Sequence, residues 1–137
     1  MTVRRSKQEP CTQETAVYFG DTMGEMLPMY GASDVAFVGG SLIPRGGHNI
    51  LEPGALGKPI LSGPHVFNFA EINKLFISAN ALMTVTDAET LSSHLIMLMQ
   101  QSSERAQMGE RALQVVKANR GALAKQEKMI GRLLSSS

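Results

Sequence analysis

The chain has 137 residues, long enough for one domain with a real core and too short for two. Its 43% hydrophobic and 18% charged residues exclude a disordered polymer, and a formal net charge of +1 without a long basic run argues against a nucleic-acid partner. Cys11 is the only cysteine, which excludes an internal disulfide and a cysteine-based metal cluster and fits a reducing, cytoplasmic-type setting.

Residues 1–14 are polar and carry no clear pattern, so an irregular or flexible segment is expected there. The opening MTVRRSKQEP lacks the apolar stretch of a signal peptide. No apolar run approaches the roughly 18 to 20 residues that span a bilayer, so any membrane contact is expected from outside this sequence. Four short apolar runs follow: AVYF at 16–19, VAFV at 35–38, PIL at 59–61 and ALMTV at 81–85. They are near-continuously apolar rather than alternating, which predicts strands covered on both faces. Between them, Thr22, Asn49, Asn68 and Thr86 each stand three residues before a glutamate (Glu25, Glu52, Glu71, Glu89), the spacing of a capping box. Alternating strand and helix predicts a parallel sheet with right-handed crossovers.

Toward the C-terminus, Leu91, Leu95, Leu98 and Met99 share one helical face, as do Met108, Ala112, Val115 and Val116 of a second helix. Gly121 is expected to interrupt before a last helix carrying Leu123, Met129, Ile130 and Leu133, and 135–137 to fray. The expected architecture is thus an α/β, Rossmann-like parallel sheet with flanking helices over 15–134, with three or four strands where such sheets usually have five or six. One or more first strands are expected to be missing.

The stretch 37–53 reads FVGGSLIPRGGHNILEP and runs from a strand into a helix. In such sheets, ligands sit at the carboxyl ends of strands, where helix N-termini offer free N–H groups. Gly46, Gly47, His48 and Asn49 therefore suit an anion cradle, since paired glycines let backbone approach a phosphate. The same glycines also suit a connection that only needs unusual φ. Glu52 fits either a ribose-binding carboxylate or the far end of a capping box with Asn49. Met23, Gly24 and Glu25 lie in a second strand-end loop facing the same crevice, with capping by Thr22 and Glu25 as the alternative.

His48 and His65 fall at strand ends and His94 inside an amphipathic helix. No carboxylate or cysteine partner has a spacing that makes a metal site with them, and no cofactor is expected. Arg45 and Lys58 are surface residues able to balance ligand charge, and the nine methionines read as core filler. Ser41 follows two glycines but nothing marks it as an activated nucleophile. The residues alone lead to a sheet-end crevice for an anionic, phosphorylated ligand.

Three longer motifs add to that reading. GDTMGEM (20–26), DVAFVGGSLIPRGGHNILEPGALGKPIL (34–61) and GPHVFNFAEI (63–72), with MGERALQVVKANRGAL (108–123), resemble the C-terminal domain of 3-deoxy-D-manno-octulosonic acid (Kdo) transferases. The resemblance covers about 4–134. It implies a GT-B glycosyltransferase of two Rossmann-like domains, transferring Kdo from CMP-Kdo to a lipid A precursor, with inversion and without metal, at the cytoplasmic face of the bacterial inner membrane. It places the donor on the C-terminal domain, and the acceptor, membrane contact and catalytic base on an N-terminal domain this sequence lacks.

By the same resemblance Gly46, Gly47, His48 and Asn49 surround the CMP phosphate and sugar, Glu52 meets the ribose, and Met23, Gly24 and Glu25 form the facing loop. Ser41, Pro44 and Arg45 lie near the cytosine or the Kdo carboxylate. A sequence of this extent is expected to be inactive alone. The alternatives are a non-catalytic module binding a phosphorylated ligand or a protein, and a GT-B nucleotide-sugar epimerase relative.

Overall fold

The structure, a computed structural model, describes residues 1–135. Five short strands, β1 (Thr2–Arg4), β2 (Val17–Phe19), β3 (Ala36–Val38), β4 (Ile60–Ser62) and β5 (Leu82–Thr84), alternate after β2 with helices α1 (Met26–Gly31), α2 (Leu51–Ala55), α3 (Ala70–Ser78), α4 (Ala88–Gln100) and α5 (Ser102–Ser135). All ladders are parallel, as expected, but they form two sheets, β1–β2 and β3–β4–β5.

The three-stranded sheet is the body of the molecule. Side chains of adjacent strand residues point to opposite faces, so Ile60 and Leu61 in the central strand serve two separate cores. Ile60 packs with Val38, Ile50, Phe76, Leu82, Ala112 and Val116. Leu61 packs with Leu98 and Met108, flanked by Phe37, Met83, Leu91 and Leu95. Each such buried valine, leucine, isoleucine, phenylalanine or methionine side chain contributes about 1.5–3 kcal/mol through apolar surface removed from water. Helix α5 reaches both cores, through Met108 on one face and Ala112 and Val116 on the other.

The N-terminal segment differs from expectation. Residues 2–4 form a strand, followed by a single 3-10 turn at Arg5–Lys7. A polar run with one buried apolar residue, Val3, gives no periodicity to read. Its partner β2, expected to be covered on both faces, is exposed at all three positions. An apolar run specifies a strand but not a helix to lie over it, and here β2 pairs with β1 alone.

Among the described residues a capping box forms at the start of α4, one register later than expected. Asp87 accepts from the Thr90 N–H at 2.7 Å while Thr90 Oγ1 accepts from the Asp87 N–H at 3.2 Å. Thr86 and Glu89 do not form it, because Asp87 occupies the extended N-cap position. Helix α1 begins after Glu25, and α3 begins after the 3-10 turn Phe67–Phe69. Gly121 does not interrupt: α5 runs through it as one helix, since glycine inside a helix costs only about 1 kcal/mol. Of the tail expected to fray, Ser135 closes α5 and residues 136–137 lie outside the described residues, as does the side chain of Leu123.

Candidate functional site

At the carboxyl end of β3 the chain turns sharply and is held by a buried serine. Ser41, fully buried, donates its hydroxyl to the Val38 carbonyl at 2.7 Å and accepts the Gly63 N–H at 2.8 Å. Its own carbonyl accepts the His65 N–H at 2.9 Å. One residue thus fastens the loop after β3 to the loop after β4. Its hydroxyl is engaged within the chain, so Ser41 supports the site rather than lining it. A Cβ at Gly63 would collide with the Ser41 carbonyl, which requires glycine there.

Gly46 and Gly47 have φ of +93° and +78°, a region L side chains rarely adopt. They are buried under the loop that follows β4: a Cβ at Gly46 would meet Asn68 and Phe67, and one at Gly47 would meet Val66. The Gly47 N–H is bonded to the Gly40 carbonyl at 2.9 Å, and the Gly46 carbonyl accepts the Asn68 N–H at 3.2 Å. The glycine pair therefore shapes and packs the turn, the blander of its two readings. The turn then delivers His48 and Asn49 to the surface. Among the described residues their backbone N–H groups have no acceptor.

Those two residues line a cavity of about 510 Å³. Phe37, Val38 and Gly39 from the end of β3 form its floor, His48, Asn49 and Glu52 one wall, and Met26 and Tyr30 of α1 the other. Asn49 Oδ1 accepts the Leu51 N–H at 2.9 Å and so caps α2. Glu52 does not complete a capping box; among the described residues its carboxylate has no hydrogen-bond partner. Tyr30, half-buried, has its phenol pKa raised, first by burial and second by the Glu52 carboxylate nearby.

The remaining expected residues lie elsewhere. Pro44 and Arg45 are exposed on the turn, with the Arg45 carbonyl accepting from Asn68 Nδ2 at 3.4 Å. Met23 is 96% exposed and Gly24 turns the loop with a φ of +78°. Glu25 is held by the Thr22 hydroxyl and by Arg5 at 3.1 Å. The Thr22 bond, then that of Arg5, lowers its pKa. Glu25 faces a second cavity, of about 650 Å³, that also includes Arg5, Cys11 and Tyr18. The facing wall of the first cavity is instead Met26 and Tyr30, which sequence reasoning missed. Their separation of four residues puts both on one helix face, a signal present in the sequence once α1 is placed. Among the described residues no cluster of three His, Cys, Asp or Glu could hold a metal, and no helix is long and apolar enough to cross a membrane.

No protein-family model matches the chain. It is 42% identical over 122 residues to a 3-deoxy-D-manno-octulosonic acid transferase of Haemophilus influenzae, covering 88% of this chain and 29% of that protein. It is 41% identical over 106 residues to one of Bordetella pertussis, covering 77% of this chain and 25% of that protein. The chain thus spans less than a third of the relatives it matches. Among solved structures, the C-terminal CMP-Kdo binding domain of WaaA from Acinetobacter baumannii superposes with a TM-score of 0.81 at 39% identity, over 85% of this chain and 61% of that one. With long-range sequence identity and the same arrangement of parallel strands and flanking helices, this chain belongs to the 3-deoxy-D-manno-octulosonic acid transferase family and corresponds to the C-terminal, GT-B-type domain.

Proposed function

We propose that the cavity at the end of β3 is the donor site of a Kdo transferase and receives CMP-Kdo. One observation carries this: in a chain whose solved relative is a CMP-Kdo binding domain, His48, Asn49 and the unpartnered Glu52 meet around one opening. Transfer breaks the bond between the anomeric carbon of Kdo and a phosphate oxygen of CMP, and forms a bond from that carbon to an acceptor hydroxyl. The acceptor proton goes to a base, which we assign to a domain outside this chain, and CMP leaves with the electron pair. The charge grows on phosphate oxygens, where fixed N–H dipoles stabilise it. The free N–H groups of His48 and Asn49 suit that role. Gly46 and Gly47 hold the turn that presents them.

The acceptor is a lipid A precursor, met at the cytoplasmic face of the inner membrane through the other domain, and this chain alone does not complete transfer. The matching relatives are transferases by name, which disfavours the epimerase and stand-alone module alternatives. Titrating the chain with CMP, UMP and inorganic phosphate, followed by NMR, tests the reading. CMP-dependent shifts are expected at Gly39, His48, Asn49 and Glu52. Equal shifts with phosphate alone, or shifts confined to the Arg5–Glu25 cavity, would overturn it.

A further inference from the structure

Two polar groups that line the donor cavity have no hydrogen-bond partner among the described residues. The Glu52 carboxylate on α2 and the Tyr30 hydroxyl on α1 both belong to its lining, and neither has a hydrogen bond among the described residues. Both residues are half-buried, so a ligand that fills the cavity removes them from water and must satisfy them.

An ionised carboxylate only accepts hydrogen bonds, whereas a phenol both donates and accepts. A phosphate placed between them would be repelled by Glu52. The free N–H groups of His48 and Asn49 mark the end of the cavity that suits it. Adjacent hydroxyls fit the Glu52 end: two O–H groups donate to the two carboxylate oxygens, and the phenol donates to a hydroxyl oxygen left open.

We propose that Tyr30 is a specificity-determining residue that, with Glu52, reads a pair of adjacent hydroxyls on the bound nucleotide sugar. This rests on the donor-site reading above. The hydroxyls belong to the ribose or to the transferred sugar, and the ligand series separates the two.

The test measures Kd for CMP, 2′-deoxy-CMP and free Kdo with the wild-type 137-residue chain and its Tyr30→Phe and Glu52→Gln variants. Removing one hydroxyl hydrogen bond should weaken the matching ligand roughly 2- to 12-fold. If the ribose is read, Tyr30→Phe weakens CMP and leaves 2′-deoxy-CMP unchanged; if the transferred sugar is read, it weakens Kdo and leaves CMP unchanged. Equal losses on all three ligands, or none, overturn the proposal while leaving the donor site standing. A wild-type chain that binds neither CMP nor Kdo overturns both.

Tyr30→Phe should melt at the wild-type temperature, which separates a binding role from a packing one. A second readout needs no ligand. The chain has two tyrosines, so ring-labelled Tyr30 is assigned by comparison with Tyr18→Phe. Glu52→Gln should bring the Tyr30 phenol titration down, and an unmoved titration would show that the two groups do not share the cavity.

Discussion

Strand β2 and the strands of the three-stranded sheet have similar apolar sequence and sit in opposite environments. In β3–β4–β5, Val38, Ile60 and Leu61 are almost entirely removed from water. In the β1–β2 ribbon, Val17, Tyr18 and Phe19 remain about half exposed. Parallel strands become a core only when crossover helices cover both faces. The longer helices α3, α4 and α5 do this for the first sheet, and six-residue α1 packs toward α2 instead. The cavity at the end of β3 draws its floor from the well-covered sheet and one wall from α1.

The sharpest way to break this contrast is Phe76→Ala. Phe76 is fully buried between α3 and the sheet, and its truncation should cost about 3–5 kcal/mol in urea denaturation. A cost below about 1 kcal/mol would mean that the three-stranded sheet is not the stability core. Next is Ser41→Ala, which removes two buried hydrogen bonds, one to the Val38 carbonyl at the end of β3 and one from the Gly63 N–H in the loop after β4. It should cost about 1–3 kcal/mol and weaken CMP through the displaced turn. Phe19→Ala, in the ribbon, loses only a half-exposed ring with Arg4 5.6 Å from its centroid. About 1 kcal/mol or less is expected by the same denaturation assay.

The smallest effect is on acidity. Asp21, held by the Ser6 hydroxyl and N–H, and Glu25, held by Thr22 and Arg5, both titrate below their ordinary values of 3.8 and 4.5. A lowered folded pKa stabilises above the ordinary value and is lost as pH falls through the lower one. The ribbon should therefore loosen as pH drops below about 4.5. Ser6 and Asp21 amide signals should shift there before exchange protection in β3–β5 changes. Asp21→Asn should remove part of this pH dependence.

These contrasts explain what was readable in the sequence. Strand positions at 35–38, 59–61 and 81–85 were legible because continuous apolar runs have few other uses. Burial at 16–19 was not, because it depends on what lies above the strand. Asn49 and Glu52 have the same spacing as a capping box, yet Asn49 caps α2 alone and Glu52 is left open to the cavity. Spacing places two residues near one another but does not choose the rotamer that pairs them. Glycines 46 and 47 suit either an anion cradle or a turn in sequence; their positive φ and close packing show what the turn requires of them. Tyr30 escaped notice because an aromatic residue on a short helix ordinarily signals packing.

Helix α5 has a consequence of its own. From 124 to 135 every side chain is exposed, Met129 and Ile130 among them, over roughly 18 Å of helix at 1.5 Å per residue. Tertiary packing supplies most helical stability in proteins, and an isolated segment this short is marginal in water. Heating should therefore unwind α5 from its far end while Met108 and Ala112 still anchor its base. Far-ultraviolet ellipticity would then decline gradually before the cooperative transition, and added trifluoroethanol would flatten that early slope without moving the midpoint.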